Sequence, residues 1–256
     1  MCPEWTGEAR MNPRDFVHQT FELLRNPSLR AVILGGMAIW TASLAQNALW
    51  IYLYSFFWEF TTDQMSVVII PMGLGSAAAI YVLPRFAAGR EKRTVTIWTI
   101  LLGAVVTLLP IALRLIGTFP ENGSSALFWI MMVHGFFSSL IWVMQAGIWR
   151  SMTADLVEQE QLKSGQRSEG LILSALTFTA KAAGAFGTWV AGIMLDLASF
   201  PTDAAAGEIP AQTLVKLGWI YGPVLMVFYL VAAYFISRYK FSRAEHGEVV
   251  ETLART

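Results

Sequence analysis

Apolar residues fall into six long blocks, at about 31–58, 65–86, 94–118, 125–150, 168–198 and 213–238. Short segments that hold almost all of the charge separate them. At about 1.5 Å of rise per residue, each block is long enough to cross roughly 30 Å of hydrocarbon as a helix. The pattern therefore predicts an all-α integral membrane protein with six transmembrane helices. Pro71, Pro84, Pro110 and Pro223 fall inside blocks; membrane helices accept this because neighbours can satisfy the freed carbonyls. Ahead of the first block, Asn12-Pro13-Arg14-Asp15 reads as a helix start. Phe16, Thr20, Leu23 and Leu24 give a short one-sided helix that Asn26-Pro27 ends. It is either a helix lying on the membrane surface or an amphipathic linker. The chain thus divides into an N-terminal segment 1–28, a six-helix bundle 29–238 and a tail 239–256.

The cations alternate with the blocks. Arg10, Arg14, Arg25 and Arg30 precede the first; Arg85, Arg90, Lys92 and Arg93 lie between the second and third. Arg150, Lys163 and Arg167 lie between the fourth and fifth; Arg238, Lys240, Arg243 and Arg255 follow the sixth. Only Arg114, Lys181 and Lys216 are left over. All four clusters share one side, so the positive-inside rule places both termini in the cytoplasm. Trp58, Phe60, Phe119, Trp129 and Trp219 then populate the opposite interface as an aromatic belt, and Arg114, near its outer end, reaches the headgroups.

Composition agrees with a multi-pass protein of the inner or plasma membrane: 55% hydrophobic residues, 14% charged, mean hydropathy +0.51. A soluble domain does not carry several uncharged runs of about 20 residues. Lysine plus arginine and aspartate plus glutamate are 18 each, and no basic block of the nucleic-acid type occurs. The partners expected are membrane lipid and a small solute, with no nucleic acid. Residues 1–12 have no apolar core of the signal-peptide kind, and the lone Cys2 permits no internal disulfide. No metal-spaced His/Cys/carboxylate cluster, phosphate loop or nucleophile with a base in register marks an enzyme.

The stretch from Ala154 to Gly192 carries the most specific pattern. It combines Ala154-Asp155, Val157-Glu158, Lys163, Gly165, Arg167, Glu169-Gly170 and, deep in the next helix, Lys181. This resembles the penultimate helix of the glycoside–pentoside–hexuronide:cation symporters, the melibiose-permease-like branch of the major facilitator superfamily. Glu158-Gln159-Glu160 stands where members often have Asp-Tyr-Gly. The basic run Pro84-Arg85-Phe86 to Gly89-Arg90-Glu91-Lys92-Arg93 is similar to the loop such transporters place between the second and third helices of each half. Six spans with both ends inside match one half of a twelve-helix facilitator, whose halves are parallel repeats. The resemblance implies the C-terminal half. The N-terminal half is then expected from a separate chain or a homodimer partner. It also implies a coupling ion, Na+ or H+, no other cofactor, and a lysine near the cation site whose aspartates belong to the first half.

Lys181 leads the candidate residues. A charge about 14 residues, or roughly 20 Å, from the helix entrance at Arg167 is expensive in a bilayer and marks a cation-coupling or cavity position. Ser174, Thr177, Phe178, Gly184, Ala185 and Thr188 share its side. Ala180, Gly184, Thr188 and Gly192, with Gly187 and Ala191, form small-residue stripes for close helix packing. In the first block Ser43, Gln46, Asn47, Trp50 and Tyr54 present amides and aromatics. They suit a saccharide surface, or interhelical hydrogen bonds with apolar packing. His134, Ser138, Trp142 and Gln145 share a face of the fourth, as solute contacts or as a neutral histidine bonded to a neighbour. Thr177 joins this substrate-cavity set. Asp155, Glu158, Arg167 and Glu169 crowd one helix entrance and read as a cytoplasmic gate. The expected function is cation-coupled symport of a sugar or related solute by alternating access. A truncated non-transporting membrane protein and a transporter half for lipid-like substrates are the alternatives.

Overall fold

The computed structural model describes residues 26–164, 169–201 and 209–240. They form six helices and, among the described residues, no strand: α1 (Pro27–Tyr52), α2 (Thr62–Ala87), α3 (Lys92–Leu115), α4 (Ser125–Ser164), α5 (Glu169–Ala198) and α6 (Ala211–Ile236). All six are long and apolar enough to cross a membrane. A π-helical turn, Leu53–Phe57, extends α1.

Local chemistry sets the helix ends. Asn26 caps α1, accepting from the backbone N–H of Ser28 at 3.0 Å and Leu29 at 3.4 Å, with Pro27 at the first helical position. Asn26-Pro27 is therefore the start signal of α1, four residues before the apolar block begins. Thr61 and Gln64 close a reciprocal capping box on α2. Gly89, at φ +70°, turns the chain between α2 and α3. The largest difference from the apolar pattern is α4. It runs past Arg150 to Ser164 because Met152, Ala154, Leu156, Gln159 and Leu162 favour helix and no glycine or proline interrupts before Gly165.

Packing follows from direction. Antiparallel α3 and α4 meet through Lys92–Asp155, Thr96–Met152 and Thr99–Gln145. Parallel α2 and α4 meet at Gly75, where a Cβ would lie 2.1 Å from the Phe136 carbonyl oxygen and 2.4 Å from Ser139 Oγ. Parallel α1 and α5 meet at Gly184 and Gly187, whose missing side chains admit Leu44 and Thr41. Thr41 Oγ1 donates to the Ala183 carbonyl at 3.4 Å across this seam. Helix α6 backs α1 and α3, with Leu217, Tyr221, Leu225 and Ile236 buried. Helix α1 lies at the centre; α2 leaves Ile69, Ile70, Leu74, Ile80 and Tyr81 exposed.

The end away from the basic loops differs from a plain aromatic belt. Trp129 and Trp219 are exposed, but Trp58 and Phe60 are buried. Trp58 packs on Phe119 with ring centroids 5.3 Å apart, and Phe60 packs edge-on against Tyr54. Apolar packing claims these rings because the chain folds back sharply after the π turn. Arg114 is bonded within the fold. Its Nη1 donates to the Pro120 carbonyl at 2.6 Å and its Nη2 to Asn122 Oδ1 at 2.7 Å, while Asn122 Nδ2 donates to the Phe57 carbonyl at 3.3 Å. One guanidinium thus fixes the α3–α4 loop against the π turn.

Candidate functional site

A chamber of about 460 Å³ opens near the middle of the bundle. Helix α1 contributes Ser43, Gln46, Asn47 and Trp50; α2 contributes Met72, Gly73 and Ser76. Helix α4 adds Ser138, Ser139, Trp142 and Gln145, with Gly103 and Thr107 of α3 and Tyr229 of α6 completing the wall. Its polar groups are amides and hydroxyls, and among the described residues no charged side chain lines it. The volume falls in the range of small-molecule sites, roughly 300–1,000 Å³.

The walls hold several of these groups in place. Gln145 Nε2 donates to the Thr99 carbonyl at 2.9 Å, and that bond leaves its Oε1 unused. Tyr229 donates its hydroxyl to Gln46 Oε1 at 3.3 Å and lies 3.5 Å from Thr107 Oγ1. Asn47 is exposed, with no side-chain hydrogen bond among the described residues. Trp50 and Trp142 present indole surface, and Trp142 is exposed. Amide donors and acceptors beside flat apolar rings suit a neutral polyhydroxylated ring, whose hydroxyls need partners and whose C–H faces need apolar contact.

Gln46, Asn47, Trp50, Trp142 and Gln145, drawn from two helices, therefore share one chamber. Tyr54 does not reach it: it is buried behind Trp50, stacked at 4.6 Å between centroids. His134 does not line the chamber; its Nε2 lies 3.2 Å from Ser138 Oγ, and its buried Nδ1 has no hydrogen-bond partner among the described residues. Thr177 lines a second cavity of about 510 Å³, at the end where the basic loops lie, with Arg150, Thr153 and Glu158. Asp155 is buried, and Lys92 Nζ lies 2.7 Å from each of its carboxylate oxygens. That pair joins α3 to α4 within the bundle. Arg167 lies outside the described residues, and Glu169 opens α5.

Lys181 lines neither cavity. It is exposed at mid-helix on α5, about 18 Å from Glu169. Buried Ile172 and Val190 each lie nine residues away, about two and a half turns, so Lys181 faces directly away from the packed side. Exposed Ser174, Thr177 and Thr188 flank it on one side and exposed Phe178 and Trp189 on the other. Among the described residues it has no ion-pair partner. Sequence reasoning missed Tyr229, Thr107, Ser76 and Ser139. The one available signal was that each is a hydroxyl inside an apolar block.

Six membrane-length helices around a largely apolar chamber with a few amides and hydroxyls define a multi-pass integral membrane protein. Residues 8–243 match the family of MFS/sugar transport proteins, and the chain belongs to that family. The family points to transport rather than an enzyme. Two lactose permeases are similar over shorter stretches. That of Lactobacillus delbrueckii subsp. bulgaricus is 32% identical over 102 residues, covering 39% of this chain and 16% of the permease. That of Leuconostoc lactis is 30% identical over 104 residues, covering 40% of this chain and 16% of the permease. The matched region therefore spans about a sixth of the relatives' length.

Proposed function

We propose that this chain is the C-terminal six-helix half of a cation-coupled sugar transporter, with the basic end in the cytoplasm and the 460 Å³ chamber as its share of the sugar site. The uncharged chamber, lined by amides, hydroxyls and two indoles, carries this reading. A sugar is neutral, and an unpaired charge in its site would be left poorly solvated once bound. The lactose permeases favour a galactoside as solute. The resemblance of the Asp155 to Lys181 pattern to the glycoside–pentoside–hexuronide:cation symporters favours Na+ or H+ coupling. Exposed Lys181 supports a docking face for a first half. A lone ammonium at the bilayer centre costs at least about 2.5–3.5 kcal/mol, which a carboxylate on another chain or an aqueous cavity would offset.

Uptake of radiolabelled lactose into proteoliposomes tests the reading, with the chain alone and with a first half co-reconstituted. Asn47→Leu and Gln145→Leu should each reduce uptake several-fold, since one hydrogen bond is worth about 0.5–1.5 kcal/mol. Uptake unchanged in both variants refutes the assignment of the chamber. Uptake of a lysolipid but of no sugar replaces the solute class.

A further inference from the structure

Three voids lie in a row through this bundle, and neighbours in the row share walls. The central chamber shares Ser43, Trp142 and Gln145 with a small gap of about 20 Å³. That gap shares Trp40 and Trp149 with the 510 Å³ cavity at the basic end. A void of 20 Å³ has room for no more than about one water, so the row narrows far below the size of any sugar at this one level. The closure consists of two indoles, one from α1 and one from α4. Its fit depends on a missing side chain: a Cβ on Gly36 would lie 2.8 Å from Trp149 Cζ2. The Trp149 ring thus presents its Cζ2 edge to the α1 backbone at Gly36, where any side chain would meet it.

We infer that the Trp40–Trp149 pair is the constriction through which solute leaves the central chamber toward the basic-end cavity, and that it sets the size limit of the path. The inference rests on the transport reading for its physiological role, but the geometry can be probed without transport. Beyond the constriction Thr153, Thr177 and Glu158 offer polar groups in a cavity of similar size. A neutral sugar passing the indoles therefore finds new hydrogen-bond partners at once. Flat rings suit such a constriction, because they slide past the C–H faces of a sugar without holding its hydroxyls.

The test uses the full chain with Cys2→Ser and one reporter, Ser138→Cys, in the central chamber. A membrane-impermeant sulfonated maleimide is added from the basic side of oriented proteoliposomes. The expected result is slow labelling in the reference protein and labelling at least tenfold faster with Trp149→Ala or Trp40→Ala. The control reporter Thr153→Cys should label fast in every background. Trp149→Phe should restore most of the protection. Monodispersity by size exclusion establishes folding; if Trp149→Ala fails it, Trp40→Ala carries the test. Unchanged Ser138→Cys labelling in both alanine variants, with the control fast, overturns the constriction. Lactose uptake in the same liposomes separates the two ideas: faster labelling in a chain that carries no sugar keeps the constriction and removes the transport reading, whereas sugar uptake with unchanged labelling does the reverse.

Discussion

The ion pair between Lys92 and Asp155 gives the sharpest stability prediction. Asp155 has a side chain only 6% exposed, while that of Lys92 is 31% exposed, and the two lie 2.7 Å apart. At an effective dielectric near 20 their attraction is about 6 kcal/mol. Desolvation of both groups offsets much of this, so the pair matters most through what remains when one partner goes. Lys92→Met leaves a buried carboxylate. For a fully enclosed pair that costs about 3–5 kcal/mol. Because Lys92 is partly open and Asp155 keeps a further polar contact, the expected loss is about 2–3 kcal/mol. In a chain of this length that corresponds to a fall of about 4–12 °C in Tm. Asp155→Asn should cost less, since it leaves no buried charge. The double variant Lys92→Met with Asp155→Leu should recover most of the loss. Thermal unfolding of detergent-purified protein, followed by size-exclusion fluorescence, reads all three. A Lys92→Met protein as stable as the original, or a double variant that loses the sum of the single losses, refutes the reasoning.

Gly75→Ala places a methyl 2.1 Å from a backbone carbonyl of α4; forcing α2 from α4 should cost about 1–3 kcal/mol and be seen as a lower Tm. Lys181→Met should leave membrane insertion intact and abolish cation-coupled lactose uptake in liposomes that also hold a first half; normal coupled uptake counts against a role for the lysine. Cysteines at Gly89 and Asn122, in a Cys2→Ser background, should be labelled from opposite faces, Gly89 from inside and Asn122 from outside; labelling of Gly89 from outside reverses the orientation.

Much of this architecture is written in local pattern. Membrane length and lack of charge mark six helices, and the helical repeat places Asn47 and Trp50 on one face of α1. The same repeat fails at Tyr54, four residues past Trp50. There the helix has widened into the π turn, and Phe60 folds back to cover the ring. The tie between Asp155 and Lys92 was not legible, because the partner is 63 residues away and no local signal links the two. The 36–149 contact and the reach of Tyr229 to Gln46 depend on how helices cross, which periodicity on a single helix does not encode. The gate reading of Arg167 falls outside the described residues.

The π turn at Leu53–Phe57 bears on how α1 could change over evolutionary time. Phe57 stands seven residues after Trp50, about two α-turns, so an unbroken α-helix would stack it directly above that indole at the far rim of the chamber. The backbone N–H of Trp58 instead donates to the Leu53 carbonyl at 2.9 Å, five residues back. That one surplus residue shifts the phase of everything after it by about 100°. Phe57 is thereby swung away from the rim and buried against Gly218 of α6. The surplus residue thus keeps the rim clear: straightening Leu53–Phe57 into an α-helix at unchanged length would bring Phe57 over Trp50, whereas a one-residue deletion there would remove the bulge and leave Phe57 at its present phase.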